Sequence, residues 1–133
     1  MEHPTLGRLV YDAALRWHEG HATVGGVEVA LAVSRGALVY AARVAPGLDG
    51  HDRAARDGAV AALLAVKNES WREPGEPEVT AVRFREALAL ESVVVYADGV
   101  VELYYADGGL FWGHTVVVRL GPDGRVEEAD LAG

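Results

Sequence analysis

The chain has 133 residues, of which 50% are apolar and 24% charged, so its composition excludes disorder and fibrous repeats and predicts a single domain over residues 1–133. The formal net charge is -8, without a strong basic patch. We therefore expect no nucleic-acid binding, whereas a protein partner stays possible. The absence of cysteine excludes disulfides, thiolate metal sites and a thiol nucleophile.

The sequence contains no segment that indicates export or membrane insertion. Residues 1–4 lack the basic start and apolar core of a secretory signal, and no apolar run approaches the length that crosses a bilayer. We expect a cytoplasmic protein without membrane contact.

The first third of the chain predicts an antiparallel meander. Turn glycines at 20, 25–26 and 36 separate apolar runs, which predicts the strands 7–11, 14–18, 27–33 and 37–44. In the third strand Ala30 and Ala32 alternate with larger apolar residues. This pattern is typical of a central strand that is covered on both faces.

The middle of the chain predicts two helices. Apolar residues recur at helical spacing over 49–68, and we expect Asp49 to cap the start of this helix and Asn68 to end it. A loop rich in proline follows at 73–77. Thr80 is then predicted to cap a short helix that ends near Leu88.

The last third predicts strands at 90–96, 100–105, 114–120 and 125–131, with turns at Asp98-Gly99 and 122–124. A two-residue turn at Asp98-Gly99 would pair Val95 with Glu102 and place Glu91 far from Glu102, which disfavours an acid-base pair of carboxylates. The predicted fold class is α+β, with one or more antiparallel sheets totalling about seven or eight strands and two helices inserted mid-chain.

The most distinctive candidate site is the segment 107–114. It contains Asp107, Phe111, Trp112 and His114 beside three glycines. In one interpretation this loop binds a ligand or partner, because glycines allow close approach and tryptophan offers a flat apolar surface. In the other, the aromatic residues close one end of the core and His114 makes a structural hydrogen bond.

No cofactor is expected. The glycine clusters lack the spacing of a phosphate-binding loop, and no serine lies in a nucleophile-elbow sequence. His18 and His21 flank Glu19-Gly20. If these two residues form a turn, the histidines could pinch an ion, but two exposed histidines without metal are the interpretation we adopt.

Scattered residues along the chain resemble an uncharacterised bacterial family, Domain of Unknown Function 2262. The resemblance implies a single bacterial domain and brings no activity, cofactor or catalytic residue with it. Its most specific part is the segment from Phe111 to His114. The residues that carry it are Gly7, Trp17, Glu19, Gly20, Asn68, Trp71, Thr80, Phe84, Leu90, Ser92, Asp107, Gly108, Phe111, Gly113, His114 and Gly133.

Three functional hypotheses follow from the sequence. The first is a non-enzymatic binding or protein-interaction domain that uses the 107–114 loop. The second is a small enzyme or ligand-binding protein in which His114 acts as base or ligand with help from Asp107. The third is a homo-oligomer formed through an edge strand or the Phe111-Trp112 surface.

Overall fold

The computed structural model describes all 133 residues and consists of two sheets and a helical segment. The strands are β1 (Glu2–His3), β2 (Gly7–Arg8), β3 (Val10–Asp12), β4 (Trp17–Val24), β5 (Val27–Ser34), β6 (Ala89–Val95), β7 (Val101–Ala106), β8 (Thr115–Leu120) and β9 (Val126–Ala132). The helices are α1 (Leu38–Val44), a 3₁₀ turn (Ala45–Gly47), α2 (Leu48–Ser70) and α3 (Ala81–Ala87). The α+β class is confirmed, with the helices inserted mid-chain.

The seven strands from β3 to β9 form the main sheet in their order along the chain, while β1 and β2 form a separate hairpin. Every neighbouring pair in the main sheet is antiparallel except β5 and β6, which are parallel. The helices lie between these two strands in sequence, because a parallel connection needs a long crossover. None of them combines the length and hydrophobicity that crossing a bilayer requires.

The core lies between one face of the main sheet and the helices. Alternate residues of β5, including Val29 and Val33, are buried on this face, as expected from the period of two along a strand. Helix α2 packs on β8 and β9. Its Gly58 is so close to Val126 of β9 that a Cβ atom would lie 2.8 Å from that side chain. Glycine in mid-helix therefore permits the close approach of helix and sheet.

The prediction of a strand over 37–44 is wrong, because this segment forms α1. Ala37 and Ala41 are both buried and lie four residues apart, so one face of a helix packs inward. The chain then continues through the 3₁₀ turn into α2. The β-branched and aromatic residues of segment 37–44 favour a strand locally, but the crossover from β5 to β6 overrides that preference.

The two helices predicted over 49–68 and 80–88 are confirmed as α2 and α3. Of the predicted caps, only that of Thr80 forms. Thr80 Oγ1 accepts a hydrogen bond of 3.2 Å from the Arg83 amide. Asp49 does not cap α2, because the helix continues directly from the preceding turn, and its carboxylate instead accepts the Gly25 amide at 2.9 Å. Asn68 lies inside α2, where its side chain binds both the N–H and the C=O of Val79.

The expectation that β5 is covered on both faces is also wrong. The strand is interior to the sheet, as predicted, with β4 and β6 on its two sides. Val29 and Leu31 are buried, but Ala30 between them is exposed. All the helices pack on the other face, which leaves the face that carries Ala30 without a covering layer.

The predicted hairpin at Asp98-Gly99 is confirmed, but its register is shifted by one residue. The Tyr96 amide donates to the Val100 carbonyl at 2.9 Å, so three residues and not two form the loop. Glu102 consequently pairs with Val94 and not with Val95. Glu91 lies where the register shifts between Leu90 and Ser92.

Candidate functional site

Asp107 follows β7 directly and organises the loop that the sequence singles out. Its carboxylate is buried and accepts the backbone amides of Gly109 at 3.0 Å, Phe111 at 2.9 Å and Gly113 at 2.9 Å. Burial alone would raise the pKa of Asp107, but these hydrogen bonds outweigh it and hold the pKa below its ordinary value. Asp107 therefore acts as an ionised anchor for the loop backbone.

Phe111 and His114 pack with Trp71, Phe84 and Trp112 into a cluster that we call the aromatic corner. Phe111 is fully buried, with its ring edge-on to Trp71 and Phe84. His114 Nδ1 lies 2.6 Å from the Phe111 carbonyl oxygen, and its ring packs against Trp71 with centroids 5.1 Å apart. Phe111, His114 and Trp71 line none of the main surface pockets.

Trp112 is the exposed member of this corner. Its side chain is 58% exposed, although its ring packs edge-on against Trp71 at 4.8 Å. Its backbone has a φ of 58°, a left-handed conformation that is costly for a bulky residue and that persists where the surroundings enforce it. The structure thus brings all four sequence-predicted residues together and leaves one of them on the surface.

A groove occupies the uncovered face, by which we mean the face of the main sheet opposite the helices. Its volume is about 770 Å³, larger than a second depression of about 470 Å³ beside residues 5–7. Small side chains in β5 and β6 leave room above the sheet. The floor of the groove is formed by Ala30, Ala32, Ser92 and Val94.

The walls of the groove come from the first strands of the sheet. Val10 and Trp17 line it on the side of β3 and β4, and the Val10 side chain is 61% exposed. Arg8 and Glu19 also line it. The indole Nε1 of Trp17 donates to Glu19 Oε1 at 2.9 Å, which fixes both side chains at the rim.

A polar cluster lies next to the groove on the same face. Glu102 Oε1 accepts the hydroxyl of Tyr96 at 2.6 Å and that of Tyr104 at 3.1 Å, while Arg119 Nη2 lies 3.4 Å from Glu102 Oε2. Burial raises the pKa of both tyrosines, and the bonded carboxylate raises it further. Both hydroxyls therefore stay protonated and act as donors to Glu102.

The strand register makes the groove and the polar cluster parts of one surface. Ser92 pairs with Tyr104 across β6 and β7, and Val94 pairs with Glu102. Paired residues point to the same side of a sheet. The uncovered face therefore carries small or apolar side chains at the centre of β5 and β6 and mostly polar ones at β7 to β9.

The two histidines near Glu19-Gly20 do not form a pair. His18 and His21 lie on the same strand, β4, opposite Val33 and Ala30 respectively, so they point to opposite faces of the sheet. Gly20 is not a turn residue. It is required in mid-strand because a Cβ atom there would lie 2.7 Å from the Leu9 side chain.

A family model described as an uncharacterized protein conserved in bacteria (DUF2262) matches residues 3–131. The chain belongs to this family. The match confirms the resemblance seen in the sequence, and it covers the 107–114 loop and the uncovered face alike. No curated protein and no solved structure matches the chain.

Sequence reasoning missed the groove because the residues of its floor are chemically plain. Within the floor, Ala30 and Ala32 gave the one signal, since two small residues on one side of an interior strand leave space above it. Their pairing with Ser92 and Val94 depends on the parallel contact of β5 with β6. The order of the strands had to be known before these side chains could be placed together.

Proposed function

We propose that this domain is a non-enzymatic binding protein that holds a ligand in the groove of the uncovered face. The groove itself carries the proposal. Its volume of about 770 Å³ lies within the range of pockets for small ligands, which are mostly apolar with a few polar groups at defined positions. The apolar floor and the polar rim of Arg8 and Glu19 match that description.

The adjacent polar cluster supports binding over catalysis. A general base must be free to take a proton from the substrate. The Glu102 carboxylate instead accepts two tyrosine hydroxyls, and the raised pKa of Tyr96 and of Tyr104 keeps those hydroxyls protonated. These groups hold one another in place beside the groove.

An uncharged apolar fluorophore, N-phenyl-1-naphthylamine, tests this function. Ala30→Leu places a larger side chain on the exposed floor of the groove, and we expect it to weaken fluorophore binding about tenfold or more because the space is filled. Ala61→Leu makes the same change on the exposed surface of α2 and should bind as wild type does. Equal affinity of the fluorophore for wild type and Ala30→Leu would refute a ligand site in the groove.

Asp107, Phe111, Trp112 and His114 support a second candidate function, the binding of a protein partner. The observation that favours it is Trp112, a large aromatic side chain held exposed on a left-handed backbone. Exposed tryptophan is enriched among the residues that dominate protein interfaces. If this candidate is correct, Trp112→Ala loses a protein that wild type captures from the lysate of its own bacterium, while Ala30→Leu retains it. Capture by Trp112→Ala of the same protein in the same amount would exclude the corner as the contact surface.

A further inference from the structure

We propose that the groove binds a short apolar peptide with a free amino end and a free carboxyl end, because Arg8 and Glu19 present opposite charges on one wall above an apolar floor. This inference rests on the proposed function, since it names the ligand class of the same groove.

Arg8 supplies the site for the carboxylate. Its side chain is exposed, lines the groove and makes neither a hydrogen bond nor an ion pair within the protein. A guanidinium group binds carboxylates through two parallel hydrogen bonds. A cation without a partner beside an apolar groove is thus available to an anionic group of the ligand.

Glu19 supplies the site for the ammonium group. The Trp17 indole holds Oε1 of its carboxylate at 2.9 Å, and no cationic group of the protein lies within 4.0 Å of it. Its second oxygen is therefore free for a donor from the ligand. Because Trp17 fixes the carboxylate, little side-chain entropy remains to be lost when the ligand binds.

Arg8 and Glu19 lie near each other in the fold, so one short ligand can reach both. Glu19 pairs with Val10 across β3 and β4, and the Cα atom of Arg8, two residues before Val10, lies at most about 7 Å from that of Val10 along an extended chain. Ala30, Ala32 and Val94 then lie below the side chains of such a ligand.

Electrostatics favours a zwitterion over a simple ion at this place. An anion would meet Glu19 as well as Arg8, and a cation would meet Arg8 as well as Glu19. The other titratable group at the groove, His21, is exposed and lies 4.0 Å from Glu28, so these two residues balance each other if the histidine is protonated. A ligand without net charge is also not repelled by the protein's formal charge of -8.

Four related peptides test the proposal by calorimetric titration at neutral pH. Leucyl-leucine carries both charges, its amide lacks the carboxylate, its N-acetyl form lacks the ammonium, and the doubly blocked form lacks both. We expect leucyl-leucine to bind tightest and each blocked end to weaken binding about fivefold, as the loss of one exposed charge pair implies.

Variants assign each charge to its partner. In Arg8→Gln the preference for a free carboxylate should disappear while the preference for a free amine remains, and Glu19→Gln should show the reverse. Arg83→Gln and Glu86→Gln make the same changes at exposed positions on α3 and should leave both preferences intact.

Two results overturn the inference and leave the proposed function standing. One is equal affinity for all four peptides, and the other is binding of the naphthylamine fluorophore without binding of any peptide. Failure of both the peptides and the fluorophore to bind would overturn the inference and the proposed function together.

Discussion

A single carboxylate determines the shape of the loop between β7 and β8. Asp107→Asn should destabilise the fold by about 2–3 kcal/mol at neutral pH, because the amide is uncharged and its nitrogen cannot accept the N–H groups that the carboxylate binds. Urea unfolding of both proteins measures this difference. Glu69→Gln removes a charge from an exposed helical residue and serves as the control, for which we expect almost no change.

The effect of Asp107→Asn should also depend on pH. The folded protein holds the pKa of Asp107 below its ordinary value, so the stabilisation by this carboxylate is complete above the pKa of the unfolded chain, about 3.9. It is lost as the pH falls through the lowered pKa of the folded state. The gap between wild type and Asp107→Asn should therefore shrink in acid. A gap of the same size at pH 7 and pH 2 would mean that the charge of Asp107 is not what stabilises the loop.

Single residues were easier to find in the sequence than their roles were. The sequence grouped Asp107 with the aromatic residues of its loop, and the structure places them together. The role of Asp49 was mistaken because a side-chain oxygen can accept any nearby N–H. The partner of Asp49 is Gly25, which lies 24 residues away in the chain. Only the tertiary fold determines which donor comes within reach.

The contact between α2 and β9 depends on Gly58, and Gly58→Ala tests it. Alanine in a helix normally stabilises a protein by about 1 kcal/mol relative to glycine. Here the new Cβ would lie 2.8 Å from Val126, so we expect net destabilisation in urea unfolding. Val126→Ala removes the two Cγ atoms at 2.8 Å and leaves its Cβ at 3.2 Å, so in that background Gly58→Ala should cost clearly less. Gly50→Ala in the same helix meets only Arg53 at 3.6 Å and should stabilise. Stabilisation by Gly58→Ala alone would mean that helix and sheet have room to separate.

Strand β9 is an edge of the main sheet, and its sequence limits pairing with other chains. Asp130 Oδ1 accepts the amide of its own neighbour Leu131 at 2.8 Å, and Glu127 and Glu128 add negative charge. Exposed strand edges associate unless such features block them. We expect Asp130→Val to associate with rising concentration in sedimentation velocity, because it frees that amide and removes a charge. Asp130→Asn keeps an acceptor and should associate less. A monomeric Asp130→Val at high concentration would show that the edge is blocked by other means.

Helices and strands with strong local signals were predicted well, and the others depended on the fold. The periodicity of α2 and the cap of α3 were sufficient to predict both helices. Residues 37–44 are short, and their side chains suit either a strand or a helix, so only the crossover from β5 to β6 determines their structure. The register error at Asp98-Gly99 has a similar cause, since the same two residues fit a two-residue or a three-residue loop.

At the scale of the whole molecule, the uncovered face follows from how the strands are ordered. The sheet order runs from β3 to β9 without interruption, so one helical connection covers one face only. The sequence predicted the α+β class and the helices inserted mid-chain, because both follow from local patterns. It could not place Ala30 beside Ser92 or Ser92 beside Tyr104, because those contacts join residues far apart in the chain.

The buried Lys67 connects the end of α2 with the loop after it. Its side chain is 2% exposed, and its ammonium group donates to the Trp71 carbonyl at 2.5 Å and to Glu76 Oε2 at 2.9 Å. Trp71 in turn contacts Phe111, Trp112 and His114. The ion pair therefore joins the helical layer to the aromatic corner at the end of the sheet.

Glu76→Gln should lower the urea midpoint at neutral pH, because a buried ammonium group loses its counter-charge. The hydrogen bond from Lys67 holds the pKa of Glu76 below its ordinary value, so this stabilisation is present above the unfolded pKa and is lost as the pH falls through the folded one. The urea midpoints of wild type and Glu76→Gln should converge in acid.

The double variant Lys67→Met with Glu76→Gln serves as the control. It removes both charges, keeps the packing and should recover much of the urea midpoint. Tryptophan fluorescence during the same titrations reports on Trp71 and Trp112 together with Trp17. A midpoint that is unchanged by Glu76→Gln at pH 7 would mean that the Trp71 carbonyl alone satisfies Lys67.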